Sequence, residues 1–195
     1  MNTTKNSTLN NLKAFSIVMF FVLLNGFAFS QKEEYQEPQL PIDKDTKLIT
    51  YTKVVEVTAN KDSLYNKGQI WFRKFYKNPT GVIREQDAAS GKILGKHQIK
   101  ILNAADKNGV QTMKGIVQYT ITTQFKDNKA RIVISEINLK STSYTPIENW
   151  LDKTAKDFTP KNYFYFEQIN SKMNKIIENF ESFIKEQTKV KKDEW

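Results

Sequence analysis

Residues 113–126 constrain this chain more than any other stretch, because apolar and polar side chains alternate along nearly all of it. Met113, Gly115, Val117, Tyr119, Ile121, Thr123 and Phe125 share one parity, while Lys114, Gln118, Thr120, Thr122, Gln124 and Lys126 share the other. A period of two means a β-strand with one face in a core and one face in water. Asp127-Asn128 then suits a tight hairpin into a partner strand over Ala130–Leu139. In that partner Ile132 and Ile134 have one parity and Ile137 and Leu139 the other, so a bulge is expected near Ser135-Glu136.

Two further strands precede this pair. Gly81–Asp87 is the weaker. Ile93, Gly95, His97, Ile99 and Ile101 alternate with Lys92, Leu94, Lys96, Gln98 and Lys100, which predicts a second half-buried strand. Residues 48–57 are rich in Thr, Val, Tyr and Ile and place Ile49, Tyr51, Val55 and Val57 on one side. Lys53 shares that side, which suggests a sheet edge or a snorkelling stem.

Helical periods separate and follow these strands. Leu64, Gly68, Trp71 and Phe75, with Phe72 alongside, recur at helical spacing behind the capping residues Asn60, Asp62 and Ser63. Asn78-Pro79 ends that helix. Thr145-Pro146-Ile147-Glu148 reads as a capping box opening a helix over 146–157, with Ile147, Trp150, Leu151 and Phe158 along one stripe. After Thr159-Pro160 a longer helix carries Phe166, Ile169, Met173, Ile176, Ile177, Phe180 and Ile184 on one face. The order strand, helix, four antiparallel strands, helices predicts an α+β fold, a curved antiparallel sheet with its helices on one face.

The N-terminus speaks to compartment. Lys5 and Lys13 precede an apolar run from Ala14 to Leu24, and Ala28-Phe29-Ser30 supplies small residues at a cleavage site. This is the pattern of a secretory signal peptide over 1–30, cleaved after Ser30. The apolar run is short for a membrane anchor, which needs about 20 residues. A polar segment over 31–47, a domain over 48–140 and a helical segment over 141–195 complete the expected organisation. The 195-residue chain has a net charge of +9, which becomes +7 without the two leader lysines. That excess suits an anionic partner, but solubility explains it equally well. With no cysteine, disulfides, thiolate metal sites and thiol nucleophiles are excluded. No later segment is apolar enough to be a transmembrane anchor.

Part of the chain is similar to a known family. Leu48-Ile49-Thr50-Tyr51-Thr52-Lys53-Val54-Val55-Glu56-Val57 leads into Lys61-Asp62-Ser63-Leu64-Tyr65 and Trp71-Phe72, and Ser90-Gly91-Lys92-Ile93-Leu94-Gly95-Lys96 follows. These segments resemble the exported Bacteroidetes-type proteins grouped as domain of unknown function 4468, with a TATA-binding-protein-like (TBP-like) fold. The resemblance implies the strand, helix, four strands, helix order already read from the pattern. It implies no activity and no catalytic residues.

The chemistry on offer is sparse. His97 is the single histidine and falls on the apolar face of its strand. A metal site needs several ligands together, and no second histidine or cysteine exists, so no metal or cofactor is expected. Gly91-Lys92-Ile93-Leu94-Gly95-Lys96-His97 has one residue too few for a phosphate loop and reads as a strand. Glu85, Asp87, Asp106, Glu136, Asp152 and Asp157 lie on different elements, so no carboxylate pair is predicted. Lys114, Lys126 and Arg131 form no dense basic stripe, which argues against nucleic acid.

The favoured expectation is therefore a non-catalytic binding or accessory module of the periplasm or cell surface, whose partner is an envelope protein, a glycan or a small apolar ligand. An alternative is a helix-grip carrier. Its apolar ligand or lipid would lie among Tyr51, Trp71, Phe75, His97, Tyr119, Phe125, Met173 and Phe180. A hydrolase using His97 ranks third. Tyr163-Phe164-Tyr165-Phe166 cannot all face one core, so part of that run is expected at the surface.

Overall fold

The computed structural model describes residues 35–156 and 158–186. The expected signal peptide and its exit at Ser30 lie outside the described residues, as does Asp157.

Strand β1 (Tyr51–Glu56) is followed by helix α1 (Lys61–Phe75), the short helix α2 (Pro79–Val82) and strands β2 (Ile83–Asp87), β3 (Lys92–Leu102), β4 (Met113–Lys126) and β5 (Lys129–Leu139). A two-residue strand β6 (Thr145–Pro146), a 3-10 turn over Ile147–Leu151 and the long helix α3 (Asn162–Lys185) follow among the described residues. The sheet is antiparallel and open, ordered β1-β5-β4-β3-β2, with β6 on the far end of β5. This is the α+β architecture that the alternation predicted.

The hairpin at Asp127-Asn128 shows how local chemistry fixes the frame. Lys126 pairs with Lys129 across a two-residue turn, and Asn128 adopts the left-handed conformation at φ 62°, which asparagine tolerates. The same two side chains hold the start of α1. Asp127 Oδ1 accepts from the Lys61 amide at 2.7 Å and Asn128 Oδ1 from the Ala59 amide at 3.2 Å. Asn60 caps the helix as expected, its Oδ1 accepting from the Ser63 amide at 2.8 Å.

Helices and sheet meet over one apolar layer. Val117, Tyr119, Ile121 and Phe125 of β4 face Leu64, Trp71 and Phe72 of α1 and Phe166, Ile169, Met173 and Phe180 of α3, all of them buried. Two glycines permit this close approach. A Cβ on Gly68 would lie 2.6 Å from Phe125 Cε2, and one on Gly95 would lie 3.2 Å from Phe72 Cε1 and 3.1 Å from Ile121 Cγ2. Gly115 has no atom within 4 Å of such a position, so it does not serve close packing. Lys53 lies on the buried side of the edge strand β1 and snorkels to Glu181 of α3 at 2.9 Å.

The structure departs from the sequence pattern at three places, each because a long-range contact outweighs a local signal. The anticipated bulge in β5 is present: Glu136 stands at φ 50° where the pairing slips between Gln118 and Thr120. A second, unanticipated slip falls between Ile101 and Leu102, opposite Lys114. Lys114 is thereby carried off its expected parity to lie over the rings of Trp150 and Tyr165, at 5.8 and 5.3 Å.

The helix expected over 146–157 is instead strand β6 and one 3-10 turn. Pro146 occupies an edge strand, where its missing amide proton costs nothing. Glu148 does not close a capping box; its Oε1 accepts from the Ile49 amide at 2.7 Å. The aromatic run at 163–166 is covered by the chain itself. Tyr163 meets Phe158, Phe164 meets Tyr35, and Tyr165 and Phe166 meet Trp150, so none of the four is exposed.

Candidate functional site

The alternation that forms β3 puts His97 and Ile99 on the helix-facing side, and register places Tyr119 of β4 directly beside His97. The end of α1 brings Phe75 and Tyr76 over the same spot. Tyr76 caps the helix, its amide donating to Phe72 O at 3.2 Å, and from there the chain bends through Lys77 and Asn78 into α2 at Pro79. Helix α3 closes the other side with Lys172, Lys175 and Ile176. Together with Lys77 and Asn78 these groups line a solvent-open cleft of about 460 Å³.

Aromatic rings form its floor. The Tyr76 and His97 rings stand 4.9 Å apart at 71°, and His97 and Tyr119 stand 6.0 Å apart at 90°. Such edge-to-face contacts are favourable without charge. The Tyr76 and Tyr119 hydroxyls meet at 3.3 Å, each residue at most 4% exposed. One hydroxyl of that pair donates and the other accepts. The donor therefore keeps its lone pairs, and the acceptor keeps its own proton.

Burial sets the charge state of the floor. It pulls the His97 pKa below the ordinary imidazole value and pushes the Tyr119 phenol up to about 12. Tyr76 is raised further, first by burial and then by Tyr119 beside it. All three groups are neutral near pH 7. Positive charge sits only at the rim, on Lys77, Lys172 and Lys175. The cleft thus offers an uncharged, hydrogen-bonding aromatic floor beneath a cationic lip.

His97 has aromatic neighbours but no carboxylate to orient it, and no hydrogen bond to it exists among the described residues. General-base work needs a base aimed at a hydroxyl or a water and held there by a third group. The ring lacks both. Among the described residues, no three metal-ligating side chains converge.

The residues anticipated around a ligand separate into two groups. Phe75, His97 and Tyr119 line the cleft. Tyr51, Trp71, Phe125, Met173 and Phe180 are buried in the core instead. Trp71 packs edge-on against Phe180 at 5.1 Å and donates from Nε1 to Asn179 Oδ1 at 2.8 Å. Phe125 and Phe180 lie 6.4 Å apart. These side chains occupy the space beneath α3.

Tyr76, Lys77, Asn78, Ile99, Lys172, Lys175 and Ile176 were not anticipated as lining. Ile99 shares the parity of His97, so the strand pattern held that signal. Tyr76 lies just past its helix, where periodicity gives no direction. The lysines read as solvated until the fold places α3 alongside β3.

An open antiparallel sheet with two long helices on one face and a marginal cleft defines the class: an α+β domain of the TBP-like kind. Residues 51–140 match the family described as a domain of unknown function (DUF4468) with TBP-like fold. Similar solved structures include a DUF4468 family protein from Bacteroides ovatus ATCC 8483, 16% identical, with a TM-score of 0.55 over 75% of this chain and 93% of that one. A TBP-like protein from Parabacteroides distasonis ATCC 8503 is 17% identical, with a TM-score of 0.47 over 68% of this chain and 92% of that one. At 16% identity the likeness to the Bacteroides ovatus protein is one of fold. No curated protein matches the chain. Helix α3, which supplies one wall of the cleft, lies beyond the residues that match the family.

Proposed function

We propose that this protein is a non-catalytic binding module of the periplasm or cell surface and that the cleft at His97 is its ligand site. One observation carries the reading: the buried Tyr76–Tyr119 hydroxyl pair, at the margin of the core, and the half-buried neutral His97 ring line a solvent-open cleft. Apolar clefts with a few convergent polar groups are where proteins bind ligands. The leader-like first thirty residues support export. Among the described residues no helix is long and apolar enough to cross a membrane.

Titration with anilinonaphthalene sulfonate, an aromatic body carrying one anionic group, tests the site. Saturable binding is expected, and Ile99→Trp, which fills the cleft, should abolish it while the circular dichroism spectrum is kept. Equal binding by the filled variant would place the ligand elsewhere and end this reading.

A further inference from the structure

The backbone of β3 is not fully paired. On its β4 side every residue from Lys92 to Leu102 lies in the ladder, apart from the slip at Lys114. On the other side β2 pairs only as far as Gly95. At the opposite end Gln168 of α3 supplies what a neighbouring strand would: its Oε1 accepts from the Leu102 amide at 3.0 Å and its Nε2 donates to the Leu102 carbonyl at 2.9 Å. Alternate residues of a strand direct their amide and carbonyl to the same side. Lys96, Gln98 and Lys100 share the parity of Leu102, so their backbone groups point away from β4. The Lys96 amide closes the last bridge on the β2 side, at Ile83–Gly95, and beyond it Gln98 and Lys100 face an unpaired gap. No other partner for the backbone groups of Gln98 and Lys100 exists among the described residues.

We propose that this gap accepts an extended acidic peptide as an added strand, with alternate apolar side chains of the peptide entering the cleft beside His97. The inference rests on the cleft being a ligand site and names the class of ligand. Three observations converge on it. The gap spans residues 97–101, room for a peptide segment of roughly 17 Å at strand rise. The side chains of that strand on the inner face, His97 and Ile99, line the cleft, so a strand laid beside them puts every second side chain over the same aromatic floor. The cleft also continues along α3 into a second depression of about 360 Å³ that shares Lys172 and Lys175 and ends at Gln168 and Phe164.

Charge selects the partner. Lys96 and Lys100 lie on the outer face of β3, Lys96 also pairing with Glu136 of β5 at 3.6 Å, while Lys77, Lys172 and Lys175 stand around the cleft. Lysines on an edge strand commonly guard against unwanted pairing. That protection acts against neutral or basic strands, a second copy of this chain included, because two such edges would bring like charges together. An acidic strand turns the same lysines into cross-strand partners.

The test uses the purified full chain and the capped heptapeptide Asp-Val-Asp-Phe-Asp-Val-Asp, followed by fluorescence anisotropy and amide exchange. Its counterpart with lysine for aspartate, a version N-methylated at alternate amides, and laurate serve as controls. The acidic peptide should bind at least about tenfold more tightly than either peptide control, and the amides of Gln98 and Lys100 should gain protection. Gln98→Pro, which removes an edge donor, and the charge reversal K96E/K100E should each weaken it by a similar factor. The double reversal keeps its force if the proline variant fails to fold. Equal binding by the N-methylated peptide would overturn strand addition. Binding of laurate without any binding of the acidic peptide would overturn it too, while leaving the cleft a ligand site. Failure of both laurate and peptide would overturn both readings.

Discussion

Gln168 grips Leu102 by both of its backbone groups, standing in for a strand that the sheet does not have. A single side chain thereby ties helix α3 to the end of β3 and sets the far limit of the unpaired edge. The helix position and the cleft beside it depend on this contact as well as on apolar packing.

Removing the grip should show at one residue. Gln168→Ala leaves the Leu102 amide and carbonyl to water, and two modest hydrogen bonds are worth about 1–3 kcal/mol together. Hydrogen exchange at Leu102 is expected to accelerate far more than exchange at Ile101, whose backbone faces β4. Unchanged protection at Leu102 would show that Gln168 does not hold it in solution.

Core packing makes a second expectation quantitative. A methyl group added at Gly68 runs into the Phe125 ring, which is buried against Tyr65 and Phe180 and has little room to move. Overpacking of this kind costs about 1–3 kcal/mol, against which alanine's better helix propensity returns about 1 kcal/mol. Gly68→Ala should therefore shift the urea midpoint downward, and Gly115→Ala, with open space around it, should not. A rise in stability for Gly68→Ala would mean that the ring yields freely.

Trp71 and Asn179 supply a third. The indole is buried to 1% exposure and its one donor goes to the Asn179 carbonyl oxygen at 2.8 Å. Asn179→Leu leaves that donor without an acceptor in the core, at a cost of about 1–3 kcal/mol. The expected readouts are a lower denaturation midpoint and an altered indole proton resonance, and an unmoved resonance would contradict the contact.

Period two and period three-to-four were legible wherever the element is long and meets one core. β4 from Val117 to Phe125 and α3 follow their patterns closely, because nearly every buried position on them faces the same layer; Thr120, on the other face of β4, is buried beside Glu136 instead. The bulge at Glu136 was legible for the same reason, since a parity switch inside one strand has few other causes. What was not legible depended on contacts far apart in sequence. Glu148 answers to Ile49, so the capping signature around Thr145 was a local resemblance that the fold overrode. Lys114 changes face through a pairing slip that no alternation reveals. In the cleft, strand parity placed His97 and Tyr119 together in prospect. Tyr76 and the lysine rim required knowing where two helices end and lie.

His97 gives the last prediction, through pH. In the unfolded chain its imidazole titrates near the model-peptide value of 6.5, while burial among aromatic rings lowers the folded value. Between those two pKa values the unfolded state holds more protons than the folded state, so stability rises with pH there. Acidification from about pH 6.5 downward should therefore erode stability until the folded pKa is passed, after which His97 adds no further slope. His97→Gln keeps a polar side chain at the site but cannot take up this proton. Subtracting its urea midpoints from those of the wild type across this range isolates the histidine from carboxylates common to both proteins. The difference should shrink in the wild type's disfavour on acidification, and the imidazole resonances of the folded protein should titrate below the usual value. A midpoint at or above 6.5 would mean that the ring is well solvated, and the neutral floor assigned to the cleft would have to be abandoned.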